Sequence, residues 1–183
     1  MKVLIFGIGP IASWIKNNLP NCASVFFAVT DSRFLNSNDT IYSNVDVIEN
    51  INVNDFDEAY IGIGYKNLEL RLELYYGYRR LIQFPNLISS KLPSAVRMGE
   101  ANIIMTNVIV EDRVEIGNAN ILWQGSHLCH DANIKDSCFF AAGSKVGGFS
   151  TVENYCKLGF NSVLCDGSTL PVSTSIQALN FYK

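Results

Sequence analysis

A bulky apolar residue stands at every sixth position from Met98 to Leu170. The series runs Met98, Ile104, Val110, Ile116, Leu122, Leu128, Ile134, Phe140, Val146, Val152, Leu158, Leu164 and Leu170. Four places after each, the side chains are mostly small, among them Ser126, Ala132, Cys138, Ser144, Ser150, Cys156, Ser162 and Ser168. Glycine follows the apolar position at Gly99, Gly117, Gly147 and Gly159. With roughly half the residues apolar, chance gives the first series with a probability on the order of one in 10⁴. A period of six fits neither a 3.6-residue helix nor a simple alternating strand. It fits short strands joined by tight turns, each unit carrying one large and one small inward side chain. No unit of that kind buries its apolar face alone, so the units must stack on one another.

The N-terminal half has a different rhythm. Residues 2–6 (KVLIF) read as a buried strand, followed by Gly7-x-Gly9-x-x-Ala12 and a helical pattern through Ile15 and Leu19. Ser24 to Val29 reads as a second strand ending at Thr30-Asp31, and Ala59 to Ile63 as a third ending at Gly64. A helix over 67–78 and a short fourth strand near 82–84 complete the pattern. Strand–helix alternation implies a small parallel sheet with Rossmann-like winding. The expected division is an α/β Rossmann-like domain over 1–90 and a β-helix over 91–183.

The Gly-x-Gly-x-x-Ala turn admits three readings. Asp31 lies near the place where a dinucleotide fold carries its ribose-binding acid, but this half-chain is half the size of such a fold. The same geometry suits a single nucleotide whose phosphates meet the backbone amides at the start of the helix. A tight strand–helix turn without a ligand also accounts for the glycines.

Composition narrows the function classes. The 183 residues are 48 % hydrophobic and 17 % charged, a globular balance. Net charge is −3 with no basic block, so nucleic acid and anionic membrane surfaces are not expected partners. The N-terminal apolar run breaks at Gly7, Gly9 and Pro10, which reads as a strand entering a turn and not as a signal peptide. None of the five cysteines forms a Cys-x-x-Cys pair; reduced thiols and a cytoplasmic location are expected. Cys138 and Cys156 fall in the small inward series and read as buried hydrophobes.

The repeat resembles the left-handed parallel β-helix of hexapeptide-repeat acyltransferases, in which three hexapeptides make one triangular coil. A small nucleotide-binding domain followed by a short β-helix resembles, over essentially the whole chain, the PglD/NeuD family of sugar acyltransferases. Local agreements are the Gly7-Ile8-Gly9 turn, Thr30-Asp31 and the segment 61–71 with Gly64, Asn67 and Arg71. The resemblance implies an acyl-CoA-dependent enzyme, most readily an N-acetyltransferase of nucleotide-linked amino sugars serving surface polysaccharide biosynthesis. It implies acetyl-CoA as co-substrate, no metal and a homotrimer. Gly7, Gly9, Pro10, Ile11, Thr30, Asp31 and Gly64 would bind the nucleotide sugar. There are departures: Ile11 and the stretch Leu87 to Ser90 stand where the family often carries histidines, and Phe139 replaces its second histidine.

Only two histidines are present, His127 and His130. His130 follows the inward Leu128 by two places and so projects outward near a corner. By resemblance His130 is the general base and Asp131 the residue that orients it, with Asp112, one 18-residue coil earlier, as a competitor. The residue one coil later is Gly148, whose backbone N–H would face the acyl oxygen. Gly147, Gly148 and Phe139 would line the acyl-CoA site. A neutral amine, deprotonated by histidine, would attack the thioester directly. Cys129, on another side of the strand, is not expected to act covalently. Outward Trp123, Phe149, Tyr155 and Phe160 suit burial against partner subunits.

Rival readings remain at this stage. A sialic-acid-type sugar O-acetyltransferase would use the same scaffold, as would a non-catalytic trimeric binding or scaffold protein. A carbonic anhydrase on this scaffold needs three histidine ligands, which this chain cannot supply. An NAD-dependent oxidoreductase leaves the repeat unexplained.

Overall fold

The computed structural model describes residues 1–36 and 44–183. They form two compact units, Met1–Pro85 and Asn86–Lys183.

The first unit is a four-stranded parallel sheet with helices. In chain order its elements are β1 (Lys2–Phe6), α1 (Pro10–Asn18), β2 (Ser24–Val29), β3 (Val45–Val47), β4 (Glu58–Ile61) and α2 (Leu68–Tyr78). The strand order is β3-β2-β1-β4. β1 is central, and Val3, Leu4 and Ile5 are fully buried, as expected of a parallel strand covered on both faces. Phe6 stacks on Tyr78 and Phe84, with ring centroids 5.4 and 5.9 Å away. α1 passes so close to the end of β4 that a Cβ on Gly62 would lie 2.7 Å from the Ala12 Cβ. α2 starts where the side chain of Asn67 accepts the Leu70 N–H.

The expected fourth strand near 82–84 shrinks to a single parallel bridge, Glu58 to Gln83. Ile82 and Phe84 on either side are buried in the core, and Pro85 has no N–H to extend the ladder. β3 went unread in the sequence because it is only three residues long.

The second unit is a parallel β-helix built from three sheets. One contains Leu87–Ile88, Ile103–Ile104, Ile121–Leu122, Phe139–Phe140, Lys157–Leu158 and Ser175–Ile176. The next contains Ile109–Val110, His127–Leu128, Lys145–Val146, Val163–Leu164 and Phe181–Tyr182. The third contains Arg97–Met98, Glu115–Ile116, Asn133–Ile134, Thr151–Val152 and Thr169–Leu170. Neighbours in a sheet are 18 residues apart, as in Ile121↔Phe139 and His127↔Lys145. This arrangement fits a left-handed β-helix. The apolar series fills the interior: Leu122, Leu128, Phe140, Val146, Val152, Leu158, Leu164 and Leu170 are fully buried.

The coils extend beyond the expected 98–170. Leu87–Ile88 already pairs with Ile103–Ile104, so the division falls after Pro85 and not at 90/91. That first turn of the ladder is 16 residues long, and counting by sixes lands on Asn86 in place of Ile88. At the other end Ile176 and Tyr182 continue the six-residue step.

Two further regularities hold the corners. Every sixth residue from Ala101 to Leu179 has a left-handed backbone, with φ between 51° and 71°. Glycine fills that place only at Gly125, Gly143 and Gly167; elsewhere it is taken by residues such as Ala119, Asp131, Phe149 and Leu179. At one corner, three successive backbone N–H groups are accepted by side chains from the next coil. Glu100 donates to Asn118 Oδ1 (2.9 Å), Asn118 to Asp136 Oδ1 (2.7 Å) and Asp136 to Asn154 Oδ1 (2.9 Å). Such side chains satisfy backbone groups that the turns leave without a ladder partner.

Candidate active site

His130 stands at the corner between the sheet of His127–Leu128 and that of Asn133–Ile134. Its side chain is 47 % exposed. Nδ1 lies 2.9 Å from Asp131 Oδ2. Asp131 is in turn gripped by Arg113, whose Nε and Nη2 donate to its two oxygens at 2.7 and 2.8 Å. The Arg113 guanidinium, together with His130, holds the Asp131 carboxyl down at about 2. That carboxylate is therefore ionised and can only accept, so the proton belongs on Nδ1 and the lone pair on Nε2. Nε2 has no protein partner among the described residues. Pro93, Glu111, Asp112, Arg113 and His130 line a shallow depression of about 400 Å³.

Asp131 thus occupies the expected place, in a left-handed turn with φ 59° that aspartate tolerates better than most residues. The competitor Asp112 does not meet the imidazole through its carboxylate; its backbone carbonyl accepts the Asp131 N–H at 3.1 Å. Sequence reading missed Arg113 and Glu111. Arg113 was legible, since it lies one 18-residue coil before Asp131, directly below it in the stack.

Gly148 abuts the imidazole. A Cβ there would sit 3.0 Å from His130 Cε1 and 3.2 Å from Nε2. The ring of Phe149 meets His130 edge-on, with centroids 5.2 Å apart. The expectation of a free oxyanion donor at Gly148 needs correction, because its N–H already donates to Asp166 Oδ1 at 2.9 Å. Gly147 is required by the same aspartate, which a Cβ would approach to 2.2 Å.

Phe139 is also corrected. It is 3 % exposed and its ring packs edge-on against Trp123 at 5.6 Å, so within this chain it is core and not an open acyl-CoA contact. Of the four aromatic residues expected to face partners, Phe149 and Phe160 are exposed (68 % and 57 %), whereas Trp123 and Tyr155 are half-buried.

Below His130, Glu111 binds two donors. Its Oε2 accepts the His130 backbone N–H at 2.9 Å, and its Oε1 lies 2.8 Å from His127 Nε2. Cys129 Sγ lies 3.9 Å from the same ring nitrogen. Ligand atoms of Glu111, His127 and Cys129 all fall within 4.8 Å of one another, the one group of this kind among the described residues that could hold a metal ion. Burial, aided by the Glu111 carboxylate, pushes the Cys129 thiol up, away from a reactive thiolate.

In the first unit a cavity of about 260 Å³ opens at the carboxyl ends of β1, β2 and β4. Gly7, Thr30 and Gly64 line it, together with Asn67, Ile48 and Leu70. Gly7 has φ 100°, and a Cβ there would press on Ile63 at 2.9 Å. Arg71, fully buried, donates to the carbonyls of Ile61 and Ile63 at 2.7 and 2.6 Å and so fixes the segment that carries Gly64. Burial lowers its guanidinium to about 9.

Gly9, Pro10, Ile11 and Asp31 do not line this cavity. Gly9 precedes α1 with φ 133° and open space beside it, and Pro10 is the first helical residue. Ile11 is buried, so its side chain serves the core. The Asp31 carboxylate is taken by Arg33, through Nε at 2.8 Å and through the Arg33 N–H at 2.9 Å.

With this geometry in place, comparison with solved structures is informative. The perosamine N-acetyltransferase of Caulobacter crescentus, solved with CoA and GDP-perosamine and with one histidine replaced by asparagine, superposes with a TM-score of 0.88. It is 21 % identical, over 100 % of this chain and 89 % of that one. The acetyltransferase domain of PglB from Neisseria gonorrhoeae, solved with acetyl coenzyme A, gives 0.81 at 14 % identity, over 97 % and 88 %. WeeI from Acinetobacter baumannii gives 0.60 at 14 %, over 99 % and 96 %. The chain has the fold of these proteins. No protein-family model and no curated protein matches the sequence. Among the described residues, no helix is long and apolar enough to cross a membrane.

Proposed function

We propose that the protein is an acyl-CoA-dependent acyltransferase acting on a nucleotide-linked amino sugar, with His130 as general base. The observation that carries this is the chain Arg113–Asp131–His130, which leaves Nε2 unpartnered beside Gly148, with His130 itself on the wall of an open depression. Histidine suits the task because imidazole ordinarily titrates near neutrality. A sugar ammonium first loses one proton to the solvent. As the neutral amine attacks the thioester carbonyl, Nε2 takes the second nitrogen proton, and the tetrahedral intermediate collapses with loss of the CoA thiolate. The imidazolium then gives that proton to the departing sulfur, leaving amide, free thiol and neutral histidine, so atoms and charge balance. Asp131 holds the Nδ1–H and stabilises the imidazolium. No covalent acyl-enzyme is required, and the raised Cys129 thiol suits none.

The likeness to enzymes solved with CoA and with GDP-perosamine supports this class of substrates. The first unit is read as a Rossmann-like nucleotide domain. Its strand order is β3-β2-β1-β4, and its cavity at the strand ends gathers Gly7, Thr30 and Gly64. A phosphate would meet the amides that open α1 next to Gly9. Exposed Phe149 and Phe160 support assembly into a trimer.

The test is thiol release from acetyl-CoA in the presence of a panel of nucleotide-linked amino sugars. Release should fall by about 10²–10⁴-fold in His130→Ala, the range of a positioned general base. Release that persists at full rate in that variant, or the absence of release with every acceptor of the panel, refutes the reading.

A further inference from the structure

The corner that carries His130 departs from the rule seen at the other corner. There, at Glu100, Asn118 and Asp136, three successive N–H groups are each accepted by a side chain one coil later. The His130 corner keeps that rule for Gly148, whose N–H goes to Asp166. It cannot keep it for His130 itself. The residue one coil later is Gly148, which has no side chain, and a Cβ there would lie 3.0 Å from the imidazole. The glycine that makes room beside the ring therefore removes the acceptor for the N–H of the same histidine.

Glu111 fills the gap from the preceding coil. One oxygen takes the His130 N–H at 2.9 Å and the other meets His127 Nε2 at 2.8 Å. We infer that Glu111 is a positioning residue for His130: it replaces the acceptor lost at Gly148 and, braced by His127, fixes the backbone from which the imidazole projects. This rests on the general-base reading of His130 given above. Asp131 sets the rotation of the ring through Nδ1, and Glu111 sets the position of its Cα. The two act from different sides, since Asp131 hangs from Arg113 and Glu111 from His127. The His130 N–H and then His127 hold the Glu111 carboxyl below the usual carboxylate range, so it is an ionised acceptor at neutral pH.

The experiment uses the full chain and two readouts. Hydrogen exchange of the segment 129–132, followed by mass spectrometry, should accelerate about tenfold or more in Glu111→Ala as the N–H loses its acceptor. Glu111→Gln, which retains an acceptor oxygen, should stay within about threefold of the parent protein. In steady-state acyl transfer, Glu111→Ala should lower kcat by about 10- to 100-fold at unchanged KM for acetyl-CoA, the effect of a misplaced reacting group. Glu111→Gln should recover most of it. Unchanged exchange in Glu111→Ala overturns the inference, as does accelerated exchange with an unchanged kcat, or a loss carried by KM alone. A cobalt absorbance band that is lost in both Glu111→Gln and Cys129→Ser also overturns it, by assigning the carboxylate to a metal. If the parent protein transfers no acyl group, the acyltransferase reading fails and the exchange measurement still decides whether Glu111 holds the His130 N–H.

Discussion

The two units both rest on parallel strands, yet they store their instructions differently. In the first, Leu4 pairs with Phe26 on one side and with Ala59 on the other, and the connections between them are helices and turns of unequal length. Each residue has an environment of its own. In the second, a residue at one position meets its counterparts 18 places before and after it, all along the prism. Environments there come as columns, and one rule covers many residues. A unit of the first kind opens a cavity where the pattern of strands and helices breaks, at Gly7, Thr30 and Gly64. A unit of the second kind creates a site where one column is locally altered, as at Gly148.

This contrast can be broken, beginning with the largest effect. Phe140→Ala empties the middle of the prism, and because neighbouring coils cannot collapse independently we expect a loss of about 3–5 kcal/mol in a denaturant titration. A loss under about 1 kcal/mol would mean that the coils relax one by one, against the close-packed interior described above. Gly62→Val should cost about 1–3 kcal/mol through overpacking against Ala12. Its mark should be local: faster hydrogen exchange in 2–6, with 127–134 unchanged. Equal acceleration in both segments would erase the distinction between the units. The smallest effect concerns the corners. Leu179 is 79 % exposed and has φ 63°, so Leu179→Gly loses little buried area and relieves a left-handed side chain. A gain of up to about 1 kcal/mol in thermal unfolding is expected, since the strain relieved slightly exceeds the entropy lost. A clear loss would show that these turns carry no strain.

The same contrast explains what could be read from the sequence. Thirteen apolar residues in step gave the β-helix, and the burial of Leu122 through Leu170 follows that series. The step failed only at the first turn of the ladder, where 16 residues replace 18 and the count lands on Asn86. The left-handed turns escaped notice because glycine, their usual signature, occupies so few of them. In the first unit β1 and β2 were legible from apolar runs and α2 from its helical pattern, and β3 was too short to register.

The site was legible in part. Counting by coils brought His130 and Gly148 together, and adjacency supplied Asp131. The count did not show that Asp166 already holds the Gly148 N–H or that Trp123 covers Phe139, because hydrogen bonds and ring packing depend on side-chain direction. Nor did it single out Glu111, which lies in the column of Cys129 and reaches His130 diagonally.

The uniform 18-residue spacing has a consequence for how such a chain can change length. Arg113, Asp131 and Phe149 form one column, and Asp112, His130, Gly148 and Asp166 form the column beside it at the same corner, only because the count between them is whole. One residue added between Glu111 and His130 would rotate everything after it around the prism, turning core positions outward unless the extra residue looped out at a corner. Whole coils added after the last of these columns would leave every spacing intact. Corner loops aside, the ladder can therefore grow or shrink with its columns intact only in integer steps, like a ratchet whose tooth is one full turn.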